Sequence, residues 1–148
     1  MSNLPTWNLA DFYPNYKSKL ISEDLEKLNK NVVSFSSKFK GKLKKLDNEK
    51  LLNSIVQYEK IEEKIYFLKS FSFLTHCTHQ LDKKISKFYQ GISETLSNIE
   101  KNLIFFSLEC NKLNKTKINY LKSTKYKSWI ENLNKFKKYQ QIEIVERL

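Results

Sequence analysis

The sequence predicts an all-α protein, an antiparallel bundle of long helices behind an extended N-terminal arm that is rich in aromatic residues and proline. The chain of 148 residues has only two glycines and two prolines, too few for an architecture of strands and turns. Both prolines, Pro5 and Pro14, lie close to the N-terminus. The rest of the chain repeats apolar residues at steps of three and four, which is the spacing of a buried helix face.

Residues 4–14 form the predicted arm. Besides the two prolines, the arm contains Trp7, Phe12 and Tyr13. Proline fixes its own φ and disfavours helix in the preceding residue, so an extended arm or a tight turn is expected here. Aromatic side chains gain most from leaving water. A strap folded onto the protein's own helices is favoured over a ligand-binding arm, because docked termini of this kind are common.

The first helix is expected to begin near Ser22, a candidate N-cap that is followed by two acidic residues. Gly41 lies where a left-handed C-terminal cap would end this helix. Leu43 and Leu46 then mark a short connection to the next helix. The apolar stripe of the first helix consists of Leu25, Leu28, Val32, Phe35 and Phe39.

Asp47 is the predicted N-cap of a second helix that runs to about Cys77, a length of roughly 45 Å. Its stripe consists of Leu51, Ile55, Tyr58, Ile61, Ile65, Leu68, Phe71 and Leu74. Residues 80–82 form the predicted turn, with Asp82 as the next cap. The third helix carries Ile85, Phe88, Ile92, Leu96, Ile99, Leu103 and Phe106.

Gly91 falls inside the predicted third helix. A glycine in a helix interior costs about 1 kcal/mol relative to alanine, so a close helix crossing at this position is expected.

The helical pattern breaks over residues 111–116, and two shorter helices are expected after it. One lies over residues 118–123, and the other carries Trp129, Leu133 and Phe136. The predicted organisation is one domain, with an arm over residues 1–16 and a helical bundle over residues 18–140. Residues 141–148 are expected to be the start of a truncated element.

The formal net charge is +11, yet Arg147 is the only arginine. Proteins that read bases or grip phosphates bidentately tend to use arginine. The abundance of asparagine, isoleucine and lysine indicates biased codon use in an AT-rich genome, which makes nucleic acid a less favoured partner. Lysines also alternate with acidic residues at 60–64, as on a solvated helix face.

Targeting and cysteine patterns predict a cytoplasmic protein. Cys77 and Cys110 are the only cysteines, and two scattered thiols fit a reducing compartment better than the one disulfide they allow. The N-terminus lacks the basic and apolar regions of a signal peptide. No stretch approaches the roughly 20 apolar residues that span a bilayer, so no membrane partner is expected.

The sequence His76-Cys77-Thr78-His79 is the one cluster with metal-ligand chemistry. His76 and His79 could share a helix face, but a third protein ligand is needed for zinc. A helix end with one buried thiol is therefore favoured, and no metal ligand is assigned.

Acidic residues offer two further possibilities. Glu59, Glu62 and Glu63 could form a carboxylate site, but the intervening lysines favour a solvated ion-pair face. Glu109 directly follows the apolar run of residues 105–108. It is either the buried partner of a lysine or a residue at the surface of the bundle. No catalytic or cofactor-binding residue is assigned to the chain.

Several stretches together resemble the N-terminal helical domain of the oligoendopeptidase F family, zinc metallopeptidases related to thimet oligopeptidase. They are residues 4–14, 35–43, 58–59, 105–113, 126–136 and 145–148. The most specific are the arm and the Phe105-Phe106-x-Leu108-Glu109 stretch, and the resemblance covers nearly the whole chain. Asn8, Phe39 and Asn134 depart from the family pattern, which often has aspartate, tyrosine and a basic residue at these positions.

The resemblance implies a cytoplasmic enzyme that hydrolyses short peptides in a channel between helical lobes. Its catalytic zinc is held by a His-Glu-x-x-His helix and a downstream glutamate, in a C-terminal domain that this chain lacks. No cofactor is therefore expected in this chain, which is predicted to be an inactive fragment on its own. Its implied partners are the catalytic metallopeptidase domain, missing or separately encoded, and the oligopeptide substrate of the complete enzyme.

Two other functions remain open at this point. The high positive charge would suit a basic helical module that binds nucleic acid or another anionic partner. The chain could also be a scaffold for a separately encoded catalytic subunit.

Overall fold

Helices make up all regular secondary structure in residues 9–133, the part of the chain that the computed structural model describes. The α-helices are α1 (Lys19–Phe39), α2 (Asn48–Thr78), α3 (Lys83–Lys101), α4 (Ile104–Cys110) and α5 (Lys115–Lys122). Short 3-10 turns lie at Leu9–Asp11 and Leu43–Lys45, and residues 127–133 are again helical. The predicted all-α class is confirmed.

Three predictions concern residues outside the described part of the chain. They are the placement of Trp7 in the arm, the position of Phe136 on the last short helix, and the element over residues 141–148. The described end of the arm is a 3-10 turn at Leu9–Asp11.

The caps predicted for α2 and α3 are confirmed. The side chain of Asp47 accepts a hydrogen bond from the backbone N–H of Lys50 at 2.8 Å. Asp82 accepts from the N–H groups of Lys84 and Ile85 at 2.9 and 3.3 Å. Each carboxylate satisfies amide groups that a helix start leaves unpaired and complements the positive end of the helix dipole.

The predicted start of the first helix is wrong. α1 begins at Lys19, one turn before Ser22, and the hydroxyl of Ser22 donates to the carbonyl of Lys19 inside the helix at 2.8 Å. The hydroxyl of Ser18 accepts from the N–H of Leu20 at 3.3 Å. Burial of Ile21 explains the earlier start, because its side chain extends the apolar stripe by one turn.

The third helix is also shorter than predicted. α3 ends at Lys101, and both Leu103 and Phe106 follow the break, with Phe106 on α4. The N–H of Phe106 donates to the carbonyl of Leu103 at 3.0 Å as the new helix begins. The apolar spacing continues across the break, so the pattern alone could not reveal it.

The described residues form two compact units, and both are built from separate segments of the chain. The first unit contains the described residues up to Ser34 together with Tyr58–Asn102. The second contains Phe35–Gln57 and the described residues from Leu103 onward. Helices α1 and α2 each contribute residues to both units.

The first unit has its core between the early part of α1, the later part of α2, and α3. The rings of Phe71 on α2 and Phe88 on α3 lie 6.3 Å apart, and Lys69 pairs with Glu100 at 2.6 Å. These contacts join α2 and α3 within the unit. Its fully buried residues include Leu28, Val32, Ile65, Leu68, Phe71 and Leu96.

The second unit is centred on Phe106 of α4, which is completely buried. Its ring lies 5.2 Å from that of Phe35 and 6.2 Å from that of Trp129. Cys110, one turn later on α4, is also buried. The unit's other buried residues include Phe39, Leu43, Leu51, Ile55, Leu121 and Ile130.

The two glycines have opposite roles. Gly41 has a φ of +76°, the left-handed conformation predicted for it, just after α1. Gly91 lies inside α3, but a Cβ atom added there would meet nothing within 4 Å. The expected close helix crossing at Gly91 is therefore wrong. The apolar stripe of α3 faces the core, and Gly91 lies on the exposed side of the helix.

Replacing Gly91 with alanine is expected to raise the free energy of unfolding by about 0.5–1 kcal/mol, because alanine restricts the unfolded chain and meets no clash in the helix. The matched change Gly41→Ala should lower it by about 1 kcal/mol, since a side chain disfavours the left-handed backbone. Urea unfolding of both variants tests this pair. A loss of stability in Gly91→Ala would contradict the prediction, because it would mean that a side chain at this position clashes with a neighbour.

Candidate functional site

A hydrogen-bonded network of three side chains joins the arm to two helices of the first unit. The carboxylate of Asp24 on α1 accepts a hydrogen bond from the hydroxyl of Tyr13 at 2.6 Å. The same oxygen also accepts from the ammonium group of Lys64 on α2 at 2.6 Å. The Lys64 ammonium lies 4.8 Å from the centre of the Phe67 ring, within the range of a cation–π contact.

The network changes the acidity of two of its members. Burial and the neighbouring Asp24 carboxylate raise the pKa of Tyr13 above its ordinary value. Burial alone would raise the pKa of Asp24, but the hydrogen bonds from Lys64 and Tyr13 outweigh it and hold this pKa below its usual range. Tyr13 is therefore neutral and Asp24 ionised at neutral pH, the arrangement in which each hydrogen bond is strongest.

The described end of the arm packs on the protein's own helices. Tyr13 is almost fully buried, and its ring lies 5.0 Å from that of Phe71. The ring of Phe12 lies 4.8 Å from that of Phe67. Phe12 and Tyr13 therefore pack on α2, as a strap folded onto the protein's own helices would.

A groove of about 280 Å³ borders the network between α1 and α2. Its walls carry the ammonium groups of Lys27, Lys60 and Lys64, and Leu28 and Ile61 also line it. Asp24 is its only carboxylate, and two hydrogen bonds already occupy that group. The groove thus offers positive charge but no free general base.

A second and larger cavity of about 460 Å³ lies between the arm and the adjoining ends of α2 and α3. Its walls are mostly apolar, with Phe71 and Ile85 next to the rings of Tyr13 and Tyr16. The imidazole of His79 lies at its edge. A volume of this size can hold a small molecule, but its walls bring no acid and base together.

The His76–His79 cluster does not assemble a metal site in the structure. The His76 ring stacks on Tyr89 at 4.7 Å, and Nδ1 of His79 lies 2.9 Å from the hydroxyl of Thr78. The thiol of Cys77 is exposed, so the buried thiol predicted at this helix end is wrong. In residues 9–133, no three His, Cys, Asp or Glu side chains are grouped to hold a metal ion.

Cys110 is the buried thiol of the chain. Burial raises its pKa to about 12, with the adjacent Glu109 charge adding to the effect. A thiol with such a pKa stays protonated at neutral pH and is a poor nucleophile.

The solvated face predicted at residues 60–64 is only partly solvated. Lys60 and Glu63 are exposed, but Glu62 and Lys64 are half-buried. Burial raises the pKa of Glu62, and the nearby Glu100 charge adds to this, while Tyr58 and Lys69 oppose it. The raised pKa means that the ionised form of Glu62, the form present at neutral pH, is disfavoured by folding.

Glu62→Gln is therefore expected to stabilise the protein at pH 7 by about 0.5 kcal/mol, the scale of half-exposed charge interactions. A group with a raised folded pKa contributes its stability at low pH and loses it as the pH rises. The advantage of the variant should therefore vanish near pH 4, where Glu62 is protonated. Urea midpoints at both pH values, with Glu63→Gln as the exposed control, test this. Equal midpoints at pH 7 would contradict it.

Glu109 has a partner that the sequence did not suggest. Its carboxylate accepts a hydrogen bond from the backbone N–H of Gly41 at 2.9 Å. The partner is therefore a backbone amide rather than a lysine side chain. Glu109 holds the turn after α1 against the end of α4, within the second unit. Gly41 and Glu109 are 68 positions apart. No local sequence pattern connects them, so this hydrogen bond could not be predicted from the sequence.

Comparison with known proteins gives no family for this chain. No model of a known protein family, no curated protein and no solved structure matches it. Within the described residues, no helix is both long and apolar enough to cross a membrane.

Proposed function

We propose that this chain is the N-terminal helical lobe of an oligoendopeptidase F-like zinc metallopeptidase. In this role it would not perform the hydrolysis itself. It would cap the catalytic domain, narrow the substrate channel and restrict access to short unstructured peptides.

The observation that carries the proposal is the contact between two stretches on which the resemblance rests. Gly41, in the stretch of residues 35–43, donates its N–H to Glu109 in the stretch of residues 105–113. The ring of Phe35 also lies 6.0 Å from that of Phe105 and 5.2 Å from that of Phe106. Two stretches that are far apart in sequence, and on which the resemblance rests, therefore pack together in the second unit.

The chemistry of the chain supports a lobe rather than a catalytic centre. The sequence has two histidines, His76 and His79, and no His-Glu-x-x-His motif. His76 is stacked on Tyr89 and His79 contacts Thr78. The only buried thiol is held protonated by its surroundings. The zinc and its general base belong, in this proposal, to a separate catalytic domain.

Peptidase assays test the proposal in two steps. The purified chain should not cleave a short internally quenched peptide, with or without added zinc. The tagged chain, purified from the cells that encode it, should retain a His-Glu-x-x-His polypeptide. When the two purified components are recombined, cleavage of the peptide should be sensitive to a zinc chelator.

Two results would contradict this proposal. Chelator-sensitive cleavage by the purified chain alone would place the active centre within these residues. Failure of any His-Glu-x-x-His polypeptide from the same genome to bind the chain would remove the proposed partner. The control is the same purification from cells in which the chain carries no tag.

A further inference from the structure

The positive charge of the chain is concentrated in the second unit. Among the described residues, the first unit has eleven lysines and ten acidic residues, a net charge of +1. The second unit has twelve lysines and only four acidic residues, a net charge of +8. The second unit therefore carries most of the chain's net charge of +11, although it has fewer described residues than the first.

Codon bias does not account for this division. An AT-rich genome would enrich lysine in both units, and lysine is abundant in both. The units differ mainly in their acidic residues, which nearly balance the lysines in the first unit but not in the second. Charge that remains unbalanced over one unit is the electrostatic pattern of a surface for an anionic partner.

Six exposed lysines lie in the turn after α1 and in the stretch from the end of α4 to the start of α5. We call them the lysine surface. Two contacts bring the segments together: Gly41 donates its N–H to Glu109, and the ammonium of Lys117 donates to the carbonyl of Lys44. The lysine surface consists of Lys40, Lys42, Lys44, Lys45, Lys112 and Lys115.

Six ammonium groups and two carboxylates meet at the lysine surface, so its charge is only partly offset. Within residues 9–133, none of its six ammonium groups forms an ion pair. Glu109 on α4 accepts a hydrogen bond from the amide of Gly41 in the turn. Asp47, which follows the turn, caps α2 and pairs with Lys50 at 3.8 Å. Both carboxylates take part in the fold. The ammonium of Lys42 donates to the carbonyl of Ser37 at 3.3 Å, a neutral partner that leaves its charge in place.

We propose that the lysine surface binds the phosphate backbone of a double-stranded nucleic acid without sequence preference. Lysine contacts phosphate as a point charge and supplies affinity without reading bases. The described residues contain no arginine, the residue most used for bidentate contacts to guanine. This binding requires no catalytic partner, so its test is independent of the test of the peptidase proposal.

The composition of the second unit favours a duplex over other anionic partners. Binding to a membrane surface needs apolar side chains that insert between lipids, and Ile104 is the only large exposed hydrophobic residue of the described second unit. Binding to single strands relies on exposed aromatic platforms, whereas Tyr120 and Trp129 are half-buried. Protein interfaces are depleted in lysine.

Fluorescence anisotropy with a short labelled duplex, in DNA and RNA forms, tests the proposal. A variant with four lysines of the surface changed to glutamine should bind at least about tenfold more weakly at low salt. The slope of log K against log salt should become shallower by about 0.9 for each phosphate that the variant no longer neutralises. The four changes are Lys44→Gln, Lys45→Gln, Lys112→Gln and Lys115→Gln.

The control variant removes the same charge from exposed lysines of the first unit, and it should keep most of the affinity. Its changes are Lys19→Gln, Lys83→Gln, Lys84→Gln and Lys87→Gln. Circular dichroism establishes that both variants are folded. Equal losses in the two variants would overturn the proposal, because net charge alone would then explain binding. It would also be overturned by absent duplex binding, or by tighter binding to a single strand or to vesicles of anionic lipid.

Discussion

Replacing Phe106 with alanine is expected to lower the free energy of unfolding by about 3–5 kcal/mol, the largest effect of any single change considered. The side chain is completely buried, and its ring contacts those of Phe35 and Trp129. Alanine would remove the buried ring and leave a cavity at the centre of the second unit. Urea or thermal unfolding followed by circular dichroism measures the loss.

Ile104→Ala is the matched control, because Ile104 lies on the same short helix but is 49% exposed. It should change stability by no more than about 1 kcal/mol. Phe106→Leu should cost less than Phe106→Ala, since it keeps part of the buried volume. Similar losses for Ile104→Ala and Phe106→Ala would mean that Phe106 does not hold the centre of the unit.

The Phe105-Phe106-x-Leu108-Glu109 stretch is, with the arm, one of the specific parts of the proposed resemblance. Phe106 is buried and Glu109 is bound to Gly41, so the roles of both residues in the structure are those of packing and turn closure.

Local chemistry made much of the fold predictable. The caps at Asp47 and Asp82 and the left-handed Gly41 depend on the nearest few residues, so a pattern in the sequence suffices to find them. The apolar stripes likewise identified most of the buried residues of α1 to α3. Class and helix positions follow from interactions that span at most a few turns.

The errors occurred where local patterns are ambiguous. Apolar spacing runs across the break after Lys101, so one helix was predicted where α3 and α4 are separate. Ser22 has the chemistry of a cap, but burial of Ile21 extends α1 past it. Gly91 has a free Cβ direction in the structure, and the sequence cannot tell an exposed helix glycine from one at a crossing.

Features that depend on tertiary contacts could not be predicted. Asp24 and Lys64 lie forty positions apart, and each fitted a simpler local role as a first-turn acid or a solvated lysine. The charge of the second unit depends on residues 35–57 being assembled with those after residue 102. Residues 60–64 predict a solvated helix face, but a local pattern of this kind carries no information on how charge divides between the two units.

Replacing Asp24 with asparagine is expected to lower the free energy of unfolding by about 1–2 kcal/mol at pH 7. Asparagine can still accept a hydrogen bond from Tyr13, but it removes the charge that pairs with Lys64. The loss should be smaller than for a fully buried pair, because both side chains are about one-third exposed. Glu26→Gln on the same helix is the control, since the Glu26–Lys30 pair is largely exposed. It should produce no measurable change.

The pH dependence distinguishes loss of the Asp24 charge from a change in packing. Because the pKa of Asp24 is lowered by folding, its charge contributes stability above the unfolded pKa of about 3.9 and loses it as the pH falls through the folded value. The difference in the free energy of unfolding between the native chain and Asp24→Asn should therefore become smaller below about pH 4. Tyr13 has a raised pKa, so its contribution is present below about pH 10 and is lost as the pH rises further. The difference in the free energy of unfolding between the native chain and Tyr13→Phe should therefore be smaller in strong alkali than at neutral pH. A gap for Asp24→Asn that stays constant down to acid pH would show that packing, and not the hydrogen-bonded carboxylate, accounts for its effect.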